Sequence, residues 1–137
     1  MSANTEFIKT VHKHLNAWDM EGLRPYFADD VETQTPGGTF HSFDGWKAMS
    51  EVFQTASPDS HHELARLFED GDTVMVEGIY AGTHTGPLAS EAGTLAASGN
   101  AFALPYVDLF QLRDGVCVSH RVYWDNVTLM GQIGALG

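Results

Sequence analysis

The residues best placed for chemistry flank one turn. Asp114-Gly115 is a strong hairpin signal, and the stretches on either side, YVDLFQL and VCVSHRVYW, alternate as strands do. Pairing Leu112 with Val116 sets Phe110 opposite Val118, Asp108 opposite His120 and Tyr106 opposite Val122. Cross-strand partners share a face. Alternation therefore gathers Tyr106, Asp108, Phe110, Val118, His120, Val122 and Trp124 on one side. That side holds a carboxyl and an imidazole in contact, ringed by aromatic and branched side chains. Burial disfavours the charged form of each group, while their mutual attraction favours it. The balance can leave a mobile proton near neutral pH, which general acid–base catalysis on an enolisable carbonyl requires. A satisfied pair that only fixes the core fits the same spacing equally well. A slip of one residue would turn both groups to the opposite face.

The preceding strand, VMVEGIYAGTHTG, adds Val74, Val76, Gly78, Tyr80, Gly82 and His84 to the same face. On this register Gly78 leaves a gap opposite Asp108 with room for a ligand. His84 falls at the strand end, where it lines the mouth or sits in an exposed loop. His61 and His62 are adjacent, so a strand sends one to the surface and one to the core; they lack the spacing of a metal site. His14 lies near the inward stripe of the first helix, but Leu15 fits that stripe better. Asp125 either caps the final helix, as Asp commonly does, or stands at the pocket rim as an additional acid.

The elements that must position these groups are legible in the apolar periodicity. Phe7, Ile8, Val11, Leu15 and Trp18 form a helical stripe from about Asn4 to Trp18, with Asn4 or Thr5 as cap. A short second helix carries Leu23, Tyr26 and Phe27 inward, with Pro25 early in it. DDVETQT and TFH read as short strands around Pro36-Gly37-Gly38. Trp46, Met49 and Phe53 mark a third helix capped by Ser42. Two strands follow, then a loop rich in Gly, Ala and Ser, the hairpin, and a last helix from Asn126 to about Ile133. Helices first and a long antiparallel meander after them predict an α+β layer fold. Phe27, Trp46 and Phe53 are expected to form the helical wall of the pocket.

With 137 residues and 43% apolar composition, the chain suits one domain, 1–137, with one core. Its single cysteine, Cys117, makes no internal disulfide. No targeting segment or membrane span is read, and the expected location is cytoplasmic. A net charge of −11 repels phosphate backbones and acidic membranes, so neither nucleic acid nor a membrane is an expected partner. No phosphate-binding glycine loop, CxxC pair or GxSxG is present.

The stretches AWDMEGLRPYFADDV, GTHTGPL, VDLFQLRDGVCVSHRVYWD and LMGQIG resemble those of SnoaL-like proteins in the nuclear-transport-factor-2-like superfamily. The resemblance runs from the first helix to the last. It implies a cone-shaped curved antiparallel sheet wrapped around N-terminal helices, usually in a dimer. It also implies ring closure by intramolecular aldol chemistry, with no metal and no organic cofactor. In that family a pocket Asp helped by His moves the proton, and Asp108 and His120 suit those roles. Ketosteroid isomerase, in the same superfamily, offers matches to Asp108 and Trp124. Its general base falls at Thr35 and its oxyanion tyrosine near Val11, so its mechanism does not transfer.

The leading expectation is a cyclase or isomerase acting on a hydrophobic, polyketide-like small molecule. Asp108 and His120 would be catalytic, and Tyr80, His84, Tyr106, Phe110, Trp124, Trp46, Phe53 and Phe27 would bind substrate. The alternatives are a non-catalytic small-molecule binding domain, or an epoxide hydrolase using Asp108 with Asp125 or His120. A homodimer through the outer sheet face is also expected, because alternation leaves Met75, Ile79, Val107, Leu109, Cys117 and Tyr123 there. Arg121 and Glu77 would make ion pairs within or across that face.

Overall fold

The computed structural model describes residues 2–90 and 93–136. Helix α1 spans Ala3–Asn16. Its cap is Ser2 rather than Asn4 or Thr5, with the Ser2 hydroxyl accepting the Thr5 N–H at 3.1 Å. The stripe Phe7, Ile8, Val11 and Leu15 is buried, as its spacing requires, and so is His12. A short 3-10 helix, Glu21–Tyr26, follows. Leu23 enters the core from it, but Tyr26 faces solvent and Phe27 already belongs to the next strand.

Strand β1 (Phe27–Thr35) turns back as β2 (Gly38–Phe40). Helix α2 (Phe43–Ala56) starts at Ser42, whose hydroxyl accepts the Gly45 N–H at 3.0 Å. Strands β3 (His61–Asp70) and β4 (Thr73–Thr83) form the next hairpin. The stretch read as loop contains a small hairpin, β5 (Leu88–Ser90) with β6 (Gly93–Leu95), because Leu88 finds a buried position beside α2. Residues 91 and 92 lie outside the described residues. Strands β7 (Ala101–Arg113) and β8 (Val116–Trp124) and helix α3 (Asn126–Gln132) complete the chain.

The main sheet has the order β2-β1-β8-β7-β4-β3. It is mixed rather than wholly antiparallel, because β1 lies parallel to β8. Helix α1 lies over the inner face, where Phe7 meets Phe110 edge-on at 5.6 Å between ring centroids. Where β8 ends, the Gln132 side chain of α3 continues the ladder. Its amide donates to the Ala103 carbonyl at 3.0 Å and accepts the Ala103 N–H at 2.8 Å. The open edge of β7 is thereby covered.

The central hairpin departs from the expected register in two places. Asp114 and Gly115 both have positive φ, 53° and 78°, so they alone form the two-residue turn and Arg113 faces Val116. A bulge then shifts the pairing between Gln111 and Leu112. Cys117 consequently turns inward and is fully buried beside Leu112, not on the outer face. Val118 occupies the bulge and does not line the pocket. Beyond the bulge His120 faces Phe110, Val122 faces Asp108 and Trp124 faces Tyr106.

Candidate active site

A pocket of about 750 Å³, mouth included, lies between the inner sheet face and helices α1 and α2. Helix α1 supplies Val11 and Leu15, and Trp18 follows just beyond its end; α2 supplies Trp46, Met49, Ser50 and Phe53. His62 and Tyr80 come from β3 and β4, while Leu104, Tyr106, Asp108, Phe110, His120, Val122 and Trp124 come from β7 and β8. Strand alternation delivers the last group, and helical spacing delivers Trp46, Met49, Ser50 and Phe53.

Asp108 and His120 meet in this pocket. Their side chains are buried, and His120 Nε2 lies 2.9 Å from Asp108 Oδ1. Phe110 stacks on the imidazole at 4.3 Å with the two rings 7° from parallel. On the other ring nitrogen, the Trp46 indole N–H donates to His120 Nδ1 at 3.2 Å. An indole nitrogen only donates, so His120 Nδ1 is an acceptor and carries no hydrogen. The ring hydrogen therefore sits on Nε2 and is donated to Asp108 Oδ1. Among the described residues Asp108 Oδ2 takes no hydrogen bond, so it remains for a ligand. The pair thus has a direction: His120 donates, Asp108 accepts, and the free carboxylate oxygen is the basic atom.

This assignment predicts the effect of Trp46→Phe. Losing the indole N–H removes a hydrogen bond of about 1 kcal/mol and releases His120 Nδ1. In ¹⁵N NMR the wild-type His120 is expected to show a bare Nδ1 and a protonated Nε2. The variant is expected to show mixed tautomers. An unchanged His120 spectrum would disprove the assignment.

A second polar group forms around Tyr106. His12 Nδ1–H donates to the Ile8 carbonyl at 3.0 Å, so His12 Nε2 accepts the Tyr106 hydroxyl at 3.2 Å. Burial, helped by the negative charge of Asp108, pushes the Tyr106 phenol above its usual range. Tyr80 donates to Ser60 Oγ at 2.7 Å, and burial pushes its phenol up to about 12. His62, half-buried against Tyr80 and Tyr106, is held down to about 4, chiefly because burial strips its water.

A family model for SnoaL-like polyketide cyclases matches residues 5–133. The chain belongs to this family. Solved structures share the fold along nearly the whole length. A candidate SnoaL-like polyketide cyclase from Jannaschia sp. CCS1 superposes with a TM-score of 0.86 at 19% identity, covering 98% of this chain and 94% of that one. IdmH, a candidate polyketide cyclase from Streptomyces antibioticus, gives 0.80 at 26% identity, covering 95% and 97%. TerC, crystallised with polyporic acid, gives 0.78 at 22% identity, covering 97% and 99%. A search of curated proteins finds no match.

Of the residues singled out in the sequence, this SnoaL-like chain brings Asp108, His120, Tyr80, Tyr106, Phe110, Trp124, Trp46 and Phe53 to the pocket. Phe27 does not reach it. Its ring stands 4.9 Å from the Trp46 ring and also touches Phe7 and Phe43, so it supports the wall from within the core. His84 is not at the mouth. It is 2% exposed, and its Nδ1 accepts the Ser98 N–H at 3.2 Å, which ties the segment after β4 to the one before β7. Asp125 is the cap of α3 and not a pocket acid. It accepts the Thr128 hydroxyl at 2.7 Å and the Val127 N–H at 3.0 Å. The Thr128 hydrogen bonds foremost hold its carboxyl below the ordinary range. Gly78 faces Tyr106 rather than Asp108, and the phenol of Tyr106 fills the space beside it.

Two polar residues of the site, Ser50 on its wall and His12 behind Tyr106, are not among the sequence candidates, and His62 is there assigned no role in the pocket. For His12, its position one residue beyond Val11 in the apolar stripe was the available signal. His62 had been divided between surface and core with His61, and its burial pattern shows that it is the inward member.

Proposed function

We propose that this SnoaL-like chain is a cyclase or isomerase that closes a ring in a hydrophobic, polyketide-like molecule by acid–base chemistry, without a cofactor. The supporting observation is the buried Asp108–His120 pair, with one carboxylate oxygen free in an aromatic pocket. Asp108 Oδ2 removes a proton from the carbon next to a carbonyl, and the electron pair moves to the carbonyl oxygen. The enolate carbon then attacks a second carbonyl carbon of the same molecule. The alkoxide formed takes the proton back from Asp108, so the product is an isomer of the substrate. His120 donates its Nε2–H to Oδ1 throughout and steadies the carboxylate. Tyr80, Phe110, Trp124, Trp46 and Phe53 hold the substrate's apolar body. Family membership favours a polyketide-like substrate. Epoxide opening is less well supported: among the described residues Asp108 is the one carboxyl lining the pocket, and Asp125 is committed to its helix.

Aryl ketones with exchangeable α-hydrogens test this reading in D₂O. The protein should accelerate deuterium uptake above buffer. Ketones that bind without faster exchange would instead favour a non-catalytic binding domain.

The proposal extends to a homodimer through the outer sheet face. Phe68 pairs with Met75, Met75 with Leu109, and Leu109 with Arg121 in one row across that face. Phe68 is 48% exposed, Met75 38% and Tyr123 54%. The partner of Glu77 is Arg66, at 3.2 Å, not Arg121. Arg121 remains exposed beside the apolar row. A two-fold axis would lay this row on its own copy and cover it. Light scattering at micromolar concentration should give twice the 15.0 kDa chain mass. Leu109→Glu should reduce it to one chain. A wild-type monomer would reject the dimer.

A further inference from the structure

Nearly every hydrogen-bond donor lining the pocket already has an acceptor in the protein. The Trp46 indole faces His120 and the Trp124 indole faces Asn126. The Tyr80 hydroxyl is held by Ser60, and the Ser50 hydroxyl by the Trp46 carbonyl. The tautomer of His12 commits the Tyr106 hydrogen, and that of His120 commits its own Nε2–H to Asp108. Two donors remain among the described residues: the indole of Trp18 at the rim, and the imidazole of His62.

His62 is the better positioned of the two. Asn16, the last residue of α1, clamps its backbone from the open edge of β3. Asn16 Oδ1 accepts the His62 N–H at 2.7 Å, and Asn16 Nδ2 donates to the His62 carbonyl at 3.1 Å. The ring lies against Tyr80 at 4.7 Å and meets Tyr106 edge-on at 5.5 Å. Backbone and ring are therefore both fixed before any ligand arrives, as a group that must meet developing charge should be. Burial keeps the imidazole neutral at physiological pH, so it retains one N–H and is a poor base.

We infer that His62 is a second catalytic residue, whose ring N–H holds the carbonyl oxygen that becomes negative when Asp108 removes the proton. This rests on the acid–base reading and adds a requirement to the substrate. The reacting carbonyl must point its oxygen toward the β3–β4 side of the pocket while its α-carbon faces Asp108.

A phenolate presents an anionic oxygen, as an enolate does, and 4-nitrophenolate can be followed by absorbance. The Asp108→Asn protein removes the carboxylate that would repel it. Titration of 4-nitrophenolate into this variant, into Asp108→Asn/His62→Phe and into Asp108→Asn/His62→Gln is the test. The Phe double variant should bind at least tenfold more weakly. The Gln one, which keeps an N–H donor, should recover part of the loss. The His62 ring ¹⁵N signals should move on binding. In the otherwise wild-type protein, His62→Phe should slow ketone exchange by about a hundred- to a thousandfold. Equal affinity with and without His62, or unmoved His62 signals at saturation, would overturn the assignment. The acid–base reading fails on a different result, full exchange activity in Asp108→Asn, so the two failures are separable.

Discussion

Asp108→Asn should lower turnover by about a hundred- to ten-thousandfold while leaving the fold intact, the range that one general acid–base group contributes. The substitution is nearly isosteric. The Asn carbonyl oxygen can still accept the His120 Nε2–H that Asp108 Oδ1 accepts at 2.9 Å. The Trp46 indole can keep its bond to Nδ1, and the His120–Phe110 stack has no reason to move. What changes is the free oxygen. An amide nitrogen at that position cannot take a proton from carbon. The loss corresponds to about 3–5 kcal/mol of barrier, against a small change in folding stability. Deuterium uptake by an aryl ketone and a circular dichroism melt separate these two quantities. Full exchange activity in the variant would remove Asp108 from the chemistry. Loss of the folded signal would recast the pair as structural.

Gly78→Ala is expected to cost about 3 kcal/mol of stability, at the upper end of typical overpacking. Gly78 pairs with Leu64 on one side and with Tyr106 on the other. A methyl group there would collide with the Glu63 backbone carbonyl and stand 2.6 Å from the Tyr106 hydroxyl. The backbone carbonyl cannot swing aside, so β3 and β4 must separate or the Tyr106 ring must leave His12. For a domain of this size the melting temperature should fall by about 10 °C. Adding Tyr106→Phe should recover only part of that, since the backbone collision remains. A melting temperature within two degrees of wild type would show that the three strands are looser than their packing implies.

Much of the site was legible in the sequence because strand parity tolerates an even error. The expected pairing of the central hairpin was off by one residue at the turn, where Asp114-Gly115 closes on its own. It was off by one more at the bulge beside Leu112. Either error alone would have turned His120 away from Asp108. Together they displaced His120 along the strand by one full repeat and kept it on the same face. Cys117 lies between the two, so its face came out wrong. A bulge leaves no periodic trace in a nine-residue strand, and alternation could not have found it. The parallel partnership of β1 with β8 was hidden for another reason. It joins segments about ninety residues apart, and local patterning does not record such pairings. Asp125 and His84 were ambiguous from residue type alone, and each was decided by a local hydrogen bond.

That parallel pair also bears on how the domain comes together. β8 carries His120, and it lies between β1, the first strand of the chain, and β7. Until β8 arrives, β2-β1 and β7-β4-β3 have no strand in common, and the Trp46 indole of α2 lacks its His120 partner. The fold is therefore rich in contacts between distant parts of the chain, a property that slows the search for the native state. On a translating ribosome the early segments would wait with their apolar faces uncovered, the condition that invites aggregation and chaperone binding. The strand that brings the His120 imidazole also locks the two halves of the sheet together, so an incomplete domain has no complete pocket.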